Sequence, residues 1–163
     1  MGHGNPGSQG QTRVTRATDI RRATVADLGL LVPLFDAYRV FYGKPSDTSL
    51  ARTFLSERLQ RNQSVVFLAF HSQRAAGFTQ LYPSFSSVSA ARIFILNDLF
   101  VAPEARRSGV AGKLLEAAAS FGRTEGAVRL ALSTAVDNEP AQALYASRGW
   151  VRDTKFHVYT LAL

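Results

Sequence analysis

Residues 93–115 read IFILNDLFVAPEARRSGVAGKLL, and this stretch decides the fold. It begins with β-branched and aromatic residues, which are typical of a strand, and Pro103 ends that run because proline cannot donate to a central ladder. After the turn EARRSG, alanine and leucine recur at helical spacing over residues 110–122. The stretch therefore predicts a strand over residues 92–101, a glycine-containing turn and a helix.

The turn between this strand and this helix has the composition of an anion-binding site. A turn that leads into a helix presents backbone N–H groups at the positive end of the helix dipole, and these groups can hold a pyrophosphate. Gly109 and Gly112 let the backbone approach phosphates without a Cβ in the way, and Arg106 and Arg107 add positive charge. Read without context, the same glycines also fit a plain tight turn into a helix.

Helices and strands are predicted on both sides of this unit. Thr24 and Asp27 have the spacing of a capping box, and apolar residues then follow a helical period over residues 28–41. The polar turn HSQR separates two β-rich runs and predicts an antiparallel hairpin, whose second strand ends at Pro83. The other predicted elements are a helix over residues 48–61, a helix from Pro140 to before Gly149, and strands over residues 19–23, 65–70, 75–82, 128–133, 150–152 and 156–161.

Length and composition predict one globular domain. A chain of 163 residues with 46% hydrophobic content can bury one substantial core. Residues 1–17 are expected to be a disordered lead-in or a vector-derived remnant, and residues 18–163 the domain. The apolar runs are too short for a membrane-spanning helix and no signal peptide is evident, so a cytoplasmic protein without a membrane partner is expected.

The residue types exclude several kinds of site. The absence of cysteine excludes disulfides, thiolate metal sites and a cysteine nucleophile. His3, His71 and His157 have no ligand spacing, so no metal site is expected. The net charge of +7 attracts anions, which leaves a phosphorylated cofactor, an acidic protein or nucleic acid open, beside a plain basic surface. Nucleic acid is not the expected partner, because no helix-turn-helix or stacking motif is present.

Two segments at the expected separation resemble the main motifs of GNAT acetyltransferases. The first is the pattern Q/R-x-x-G-x-G/A, which Arg106, Gly109 and Ala111 meet. The second is NEPAQALYASRGW, in which an asparagine, a tyrosine seven residues later and a glycine followed by an aromatic residue recur; these are Asn138, Tyr145, Gly149 and Trp150. The chain looks most similar to the branch that contains diamine and histone/polyamine acetyltransferases.

The resemblance implies an α/β (α+β) fold with a mixed, mostly antiparallel central sheet of six to seven strands and about four helices. It is clear from residue 93 onward and weaker before that. Two departures stand out: Ala111 replaces a glycine, and Asn97 lies where diamine acetyltransferases have a glutamate before the aspartate. Pairing of edge strands is frequent among similar proteins, which leaves a homodimer open.

The resemblance also implies acetyl-CoA as the cofactor and assigns its contacts. The strand before the turn would pair with the pantetheine arm, the turn would hold the pyrophosphate, and the second motif would contact the coenzyme further along. In that order the residues are Leu99, Phe100 and Val101; Arg106, Arg107, Ser108, Gly109, Val110, Ala111 and Gly112; and Asn138, Ala141 and Tyr145.

Direct transfer to an amine requires an acid and a group that takes the amine proton. Tyr145, which would face the sulfur, has an ordinary pKa of about 10 and can protonate the leaving thiolate; alternatively it packs its helix against the sheet. Asp98 can accept the amine proton or attract the cation, whereas the amide of Asn97 is not basic; the alternative for Asp98 is a strand carboxylate that accepts backbone N–H bonds.

The acceptor is expected to be a small primary amine. Aromatic walls suit an amine through cation–π contacts, although the same aromatic stripe on the first helix also fits a plain core. The candidate lining residues are Phe35, Tyr38, Tyr42, Tyr82, Phe85, Asn97 and Asp98. Acetylation of a protein lysine or N-terminus is the alternative, and the basic surface is mildly unfavourable for it because such tails are themselves basic.

Overall fold

The structure, a computed structural model, describes residues 18–163. The predicted lead-in over residues 1–17 lies outside the described residues. The strands are β1 (Thr18–Arg22), β2 (Val65–His71), β3 (Arg74–Ser86), β4 (Ala91–Val101) and β5 (Leu130–Ala131). The helices are α1 (Leu28–Phe41), α2 (Thr48–Gln60), α3 (Val110–Thr124) and α4 (Glu139–Ser147), with 3-10 turns at Val25–Asp27 and Pro103–Ala105.

The strands form one mixed sheet in the order β1-β2-β3-β4-β5. The first four pair antiparallel, and β5 pairs parallel to β4. On one face, α1 and α2 pack a core that includes Leu31, Leu55 and Phe78. On the other face, α3 contributes Leu114 and Leu115 to the core. The predicted fold class is confirmed, with a sheet of five strands and not six to seven.

The local signals around α1 and the hairpin act as predicted. The Thr24 side chain accepts from the Ala26 amide, and Asp27 accepts from the Thr24 amide at 2.8 Å, which completes the capping box. The hairpin turn consists of Ser72 and Gln73, whose φ angles of +52° and +64° match the turn that fits the twist of two antiparallel strands. This turn fixes the register of β2 against β3.

Strand β3 continues past Pro83, where the sequence predicted its end. It pairs with β4 as far as Ser86, whereas its pairing with β2 stops at Leu81. Pro83 therefore lies where one edge of β3 has no neighbour, and its missing N–H removes no bond on that side.

A β-bulge in β4 sets the position of the later side chains. Gln80 pairs with Asp98 and Leu81 pairs with Leu96, so Asn97 is the extra residue. Before the bulge Leu96 points toward α3, and after it Phe100 points toward α1. The bulge therefore turns Asp98 from the α3 face to the α1 face.

The predicted C-terminal strands are wrong. Residues 128–133 form a strand only at Leu130–Ala131, and residues 150–152 and 156–161 form none. All side chains of residues 151–163 are exposed, and Asp153 accepts from the amides of Lys155 and Phe156, which bends the chain into a turn. β-rich composition does not produce a strand without a paired edge, and β5 is too short to provide one. Within residues 18–163, no helix is long and apolar enough to span a membrane.

Candidate active site

A cavity of about 180 Å³ lies where β4 and β5 diverge. It is enclosed by the later part of β4, the first turn of α3, α4 and the end of α1. Of the residues predicted from the sequence it is lined by Tyr38, Tyr42, Asn97, Leu99, Phe100, Val101, Arg106, Ala111, Asn138, Ala141 and Tyr145. The structure thus brings together the two motif regions and the end of α1.

The edge of β4 at this cavity is open. β5 pairs with β4 only at Phe94 and Ile95, so no described strand lies beside residues 97–101 on that side. The carbonyl of Val101 accepts from Arg106 Nε at 3.1 Å, which ties the side chain that follows the strand to its end. An extended ligand can pair with the remaining backbone groups of this edge in the manner of an added strand.

The turn before α3 has the geometry of an anion cradle. Arg107 and Gly109 have positive φ angles of +60° and +83°, and Gly109 caps α3 without a side-chain hydrogen bond. The first amides of α3 have no intrahelical partner, and they lie at the positive end of the helix. A Cβ at Gly109 would meet no heavy atom within 4 Å, so its backbone angle and not crowding favours glycine there. These features fit a pyrophosphate.

Gly112 has a different reason to be glycine. A Cβ at this position would lie 2.8 Å from Cζ of Arg148, whose guanidinium also forms an ion pair with Glu116. Arg148 therefore covers the first turn of α3 from the end of α4. The contact joins the end of α4, the helix that carries Tyr145, to the first turn of α3.

Asp98 is a buried carboxylate beside the cavity, with 4% of its surface exposed. Its Oδ2 accepts from Gln80 Nε2 at 2.8 Å, and its Oδ1 accepts from Asn97 Nδ2 at 3.1 Å. Asn97 lines the cavity, and so does Tyr38, which contacts Asp98 from α1. Asp98 thus lies just behind the cavity wall, and Asn97 and Tyr38 lie between it and the cavity.

Three tyrosines around the site stay protonated at neutral pH. Burial, followed by the negative charge of Asp98, raises the pKa of Tyr38 far above its usual range and the pKa of Tyr82 to about 12. The pKa of Tyr145 is also raised, first by burial and then by Tyr42 across the cavity. Each of these hydroxyl groups can therefore donate a proton or a hydrogen bond near neutral pH.

Asn138 holds the start of α4 at the cavity. Its Oδ1 accepts from the Ala141 amide at 3.3 Å, so the carbonyl end of the side chain caps the helix. The side-chain amide nitrogen of Asn138 takes no part in this cap. One residue of the second motif thus both starts the helix that carries Tyr145 and lines the cavity.

Comparison with known proteins identifies the family. Residues 31–150 match the family model described as Acetyltransferase (GNAT) family. The chain belongs to the GNAT acetyltransferase family. An uncharacterized N-acetyltransferase, YhfO, from Bacillus subtilis is 46% identical over 143 residues, which cover 88% of this chain and 96% of that protein. The crystal structure of a probable acetyltransferase has 50% identity and a TM-score of 0.85, covering 89% of this chain and 97% of that one.

A third relative is more distant. The thialysine N-epsilon-acetyltransferase of Caenorhabditis elegans is 33% identical over 89 residues, which cover 55% of each protein. Together the matches establish the chain as an N-acetyltransferase. They do not confirm the predicted branch of diamine and histone/polyamine acetyltransferases, because the Bacillus subtilis relative is uncharacterized and the solved structure is named only as a probable acetyltransferase.

Two of the residues predicted to line the acceptor pocket of the acetyltransferase lie outside the cavity. Phe35 is 7% exposed and stacks on Phe54 at 5.5 Å in the core under α1, because the inward side of an apolar stripe packs against α2 and the sheet. Phe85 is 70% exposed near the end of the β3–β4 hairpin, under the guanidinium of Arg92. Tyr82 does not line the cavity, but it contacts the Asp98 network through Gln80.

Sequence reasoning missed several groups of the acetyltransferase site. Gln80 and Ser64 extend the network behind Asp98, and a polar residue amid the apolar run of β3 was the available signal for Gln80. The residues between β5 and α4 carried no signal at all. The missed lining residues are Phe41, Leu96, Leu132, Ser133, Thr134 and Leu144. Among residues 18–163, no group of three His, Asp or Glu side chains is placed to hold a metal ion.

Proposed function

We propose that this enzyme transfers the acetyl group of acetyl-CoA to a small primary amine by direct attack in a ternary complex. The observation that carries the proposal is the cavity beside the open edge of β4. Tyr145 borders it from α4, and Asn97 of β4 and Tyr38 of α1, both in contact with Asp98, border it from the other elements. A proton donor, Tyr145, and two residues in contact with the Asp98 carboxylate therefore face the same cavity.

The residues present fit acetyl-CoA. Members of the family use it as acetyl donor. When bound, it supplies a thioester whose carbonyl carbon forms a bond to the amine nitrogen while its bond to sulfur breaks. The left-handed turn at Arg107 and Gly109, with the first amides of α3, would hold the pyrophosphate, and residues 99–101 would pair with the pantetheine arm.

The nitrogen must lose one proton before attack and a second after it bonds to the carbonyl carbon, and the sulfur must gain one; the chain has groups that can handle these transfers. An alkylammonium with a pKa of about 10.4 is almost entirely charged at pH 7, so its proton must be removed before attack. Asp98 would draw this proton away through Tyr38 or a water. Tyr145, which is protonated at neutral pH, would give its proton to the departing sulfur and regain one from the attacking nitrogen, directly or through a water.

The dimensions and walls of the cavity favour a small acceptor. The cavity has a volume of about 180 Å³, and its lining includes residues that would hold the coenzyme, so the part left for the acceptor suits a short amine. Tyr38 and Tyr42 lie with ring centroids 5.0 Å apart and offer aromatic surface to a cation. The relative from Caenorhabditis elegans is named for an N-epsilon acetylation of thialysine, which is also a small amine.

Two measurements test the proposal. Acetyl-CoA at a hundredfold excess over its Kd should stabilise the protein by about 2.7 kcal/mol and raise the Tm by several degrees. A panel of small amines, with release of free coenzyme thiol as the readout, should then show turnover with at least one alkylamine. No thermal shift, or turnover only with protein or peptide substrates, would refute it.

Asp98→Asn tests the proton acceptor. We expect kcat/KM for an alkylamine to fall by roughly 10²- to 10³-fold, because the amide cannot take the proton. An arylamine, which is already neutral at pH 7, should lose much less. Equal losses for the two acceptors would show that Asp98 does not act on the amine proton.

A further inference from the structure

Gln80 is a buried amide on the sheet face that packs the apolar α1–α2 core. It is fully buried, two residues after Phe78, and so shares the α1 face with Phe78 and Phe100. An apolar side chain would fill this position without the cost of desolvating an amide. The amide therefore needs a reason beyond packing.

The hydrogen bonds of Gln80 supply that reason. Its Nε2 donates to Asp98 Oδ2 at 2.8 Å and to the Tyr82 hydroxyl at 3.0 Å, and its Oε1 accepts from Ser64 Oγ at 3.0 Å. An ionised carboxylate can only accept, so the nitrogen side of the amide must face Asp98. Both hydrogens of the amide are thereby committed, and its orientation is fixed from the other end by Ser64.

We propose that Gln80 is a positioning residue of the transfer reaction, which sets the orientation of the Asp98 carboxylate toward the acceptor. The proposal rests on the proposed function of Asp98. The bulge at Asn97 places Asp98 directly opposite Gln80, so the contact is built into the register of β3 and β4. Gln80 holds one carboxylate oxygen and Asn97 holds the other, and neither oxygen can turn freely.

Gln80 also sets the polarity of Tyr82. Because the Tyr82 hydroxyl accepts from Gln80, its own hydrogen points away from that amide nitrogen. Its pKa of about 12 keeps that hydrogen in place at neutral pH. The amide thus joins the Asp98 carboxylate and the Tyr82 hydroxyl through its two hydrogens.

A double-mutant cycle distinguishes positioning from packing. Gln80→Leu should lower kcat for an alkylamine by roughly 10- to 100-fold and leave the Kd of acetyl-CoA unchanged, because the carboxylate loses its orientation. In the Asp98→Asn background, the same change should cost less than about twofold, because Gln80 acts through Asp98. Equal losses in both backgrounds would overturn the proposal.

Thr79→Val is the matched control. Thr79 is the neighbouring residue of β3, is also fully buried, and donates to the backbone carbonyl of Asp98 at 2.9 Å. Its loss removes a buried hydrogen bond to Asp98 without touching the carboxylate. We expect it to lower the Tm with kcat within about twofold of the wild type. A loss of kcat equal to that of Gln80→Leu would mean that kcat responds to any disturbance of the buried hydrogen bonds around Asp98, and it would overturn the proposal.

Crystal structures provide a readout that does not need turnover. In Gln80→Leu the Asp98 carboxylate should rotate away from its position in the wild type, and an unchanged carboxylate would overturn the proposal. Wild-type protein that acetylates no amine would refute the proposed function, whereas the crystal structures would still decide about Gln80. If Gln80→Leu does not fold, Ser64→Ala frees only Oε1 and should cause a smaller rotation and a smaller loss of kcat.

Discussion

The two edges of β4 are built differently. Toward β3 the strand is paired from Ala91 opposite Ser86 to Val101 opposite Gly77, with only the bulge residue Asn97 left out. Toward β5 it is paired only at Phe94 and Ile95, and beyond this pairing Leu96, Asn97 and residues 99–101 line the cavity. One edge of β4 is therefore closed by β3 and the other is open, and the cavity lies at the open edge.

The difference separates two requirements of the site. On the closed side, β3 and β4 together cover the α1–α2 core, and Gln80 of β3 holds Asp98 in a buried hydrogen-bond network. The open edge has unpaired backbone for an extended ligand, and it is faced by α4, which has no fully buried residue. Rigid placement of the carboxylate and access for the coenzyme thus come from opposite sides of the same strand.

The largest expected effect is at the open edge. Tyr145→Phe should lower kcat by roughly 10²-fold or more while the Kd of acetyl-CoA changes little, because only the proton donor is lost. Steady-state kinetics and calorimetry with acetyl-CoA measure the two quantities. Tyr159→Phe, a tyrosine that is 90% exposed, is the control and should be silent. Unchanged turnover in Tyr145→Phe would remove the phenol from the mechanism.

The buried core beside β3 and the exposed C-terminal segment should also differ in how much they contribute to the free energy of unfolding. Phe78 is fully buried over the closed edge, within 6.0 Å of the Phe35 ring centroid, and Phe78→Ala should lower the free energy of unfolding by about 3–5 kcal/mol. Phe156 is 78% exposed in the C-terminal segment, and Phe156→Ala should cost less than about 0.5 kcal/mol. Urea unfolding measures both. Comparable losses would show that the C-terminal segment packs as firmly as the core.

The sequence predicted those parts of the molecule that local signals determine. The turn and helix over residues 106–122 follow from glycine placement and helical period, and the capping box at Thr24 follows from spacing alone. These elements also carry the cradle and the motif positions, which explains why most predicted coenzyme residues line one cavity. In this segment the local sequence pattern and the family motif involve the same residues.

The features that the sequence did not predict depend on which strands pair, in which register, and on which side of an element each side chain lies. The period of α1 could not tell which aromatic residues face the core, so Phe35 was placed in the acceptor pocket. The bulge at Asn97 depends on the register between two strands, and Gln80 becomes meaningful only when that register puts it opposite Asp98. The predicted C-terminal strands failed because strand composition does not reveal whether an edge is available.

The smallest expected effect concerns the ion pair that ties β1 to the start of α1. Arg21 lies 2.6 Å from Asp27, and this hydrogen bond, followed in effect by the Thr24 amide, lowers the pKa of Asp27 to about 2. Because the folded-state pKa lies below the unfolded value of about 3.9, the contribution is full above about pH 5 and is lost as the pH falls toward 2. Arg21 is 44% exposed, so solvent screening limits the contribution to about 1 kcal/mol.

Asp27→Asn should therefore lower the free energy of unfolding by about 1 kcal/mol at pH 7 and flatten its decline between pH 5 and pH 2. Arg21→Met should reproduce most of the loss from the other partner. Urea unfolding across this pH range measures the effect, and kcat should not change because the pair lies at the far edge of the sheet from β5. An acid decline as steep in Asp27→Asn as in the wild type would place the pH dependence elsewhere.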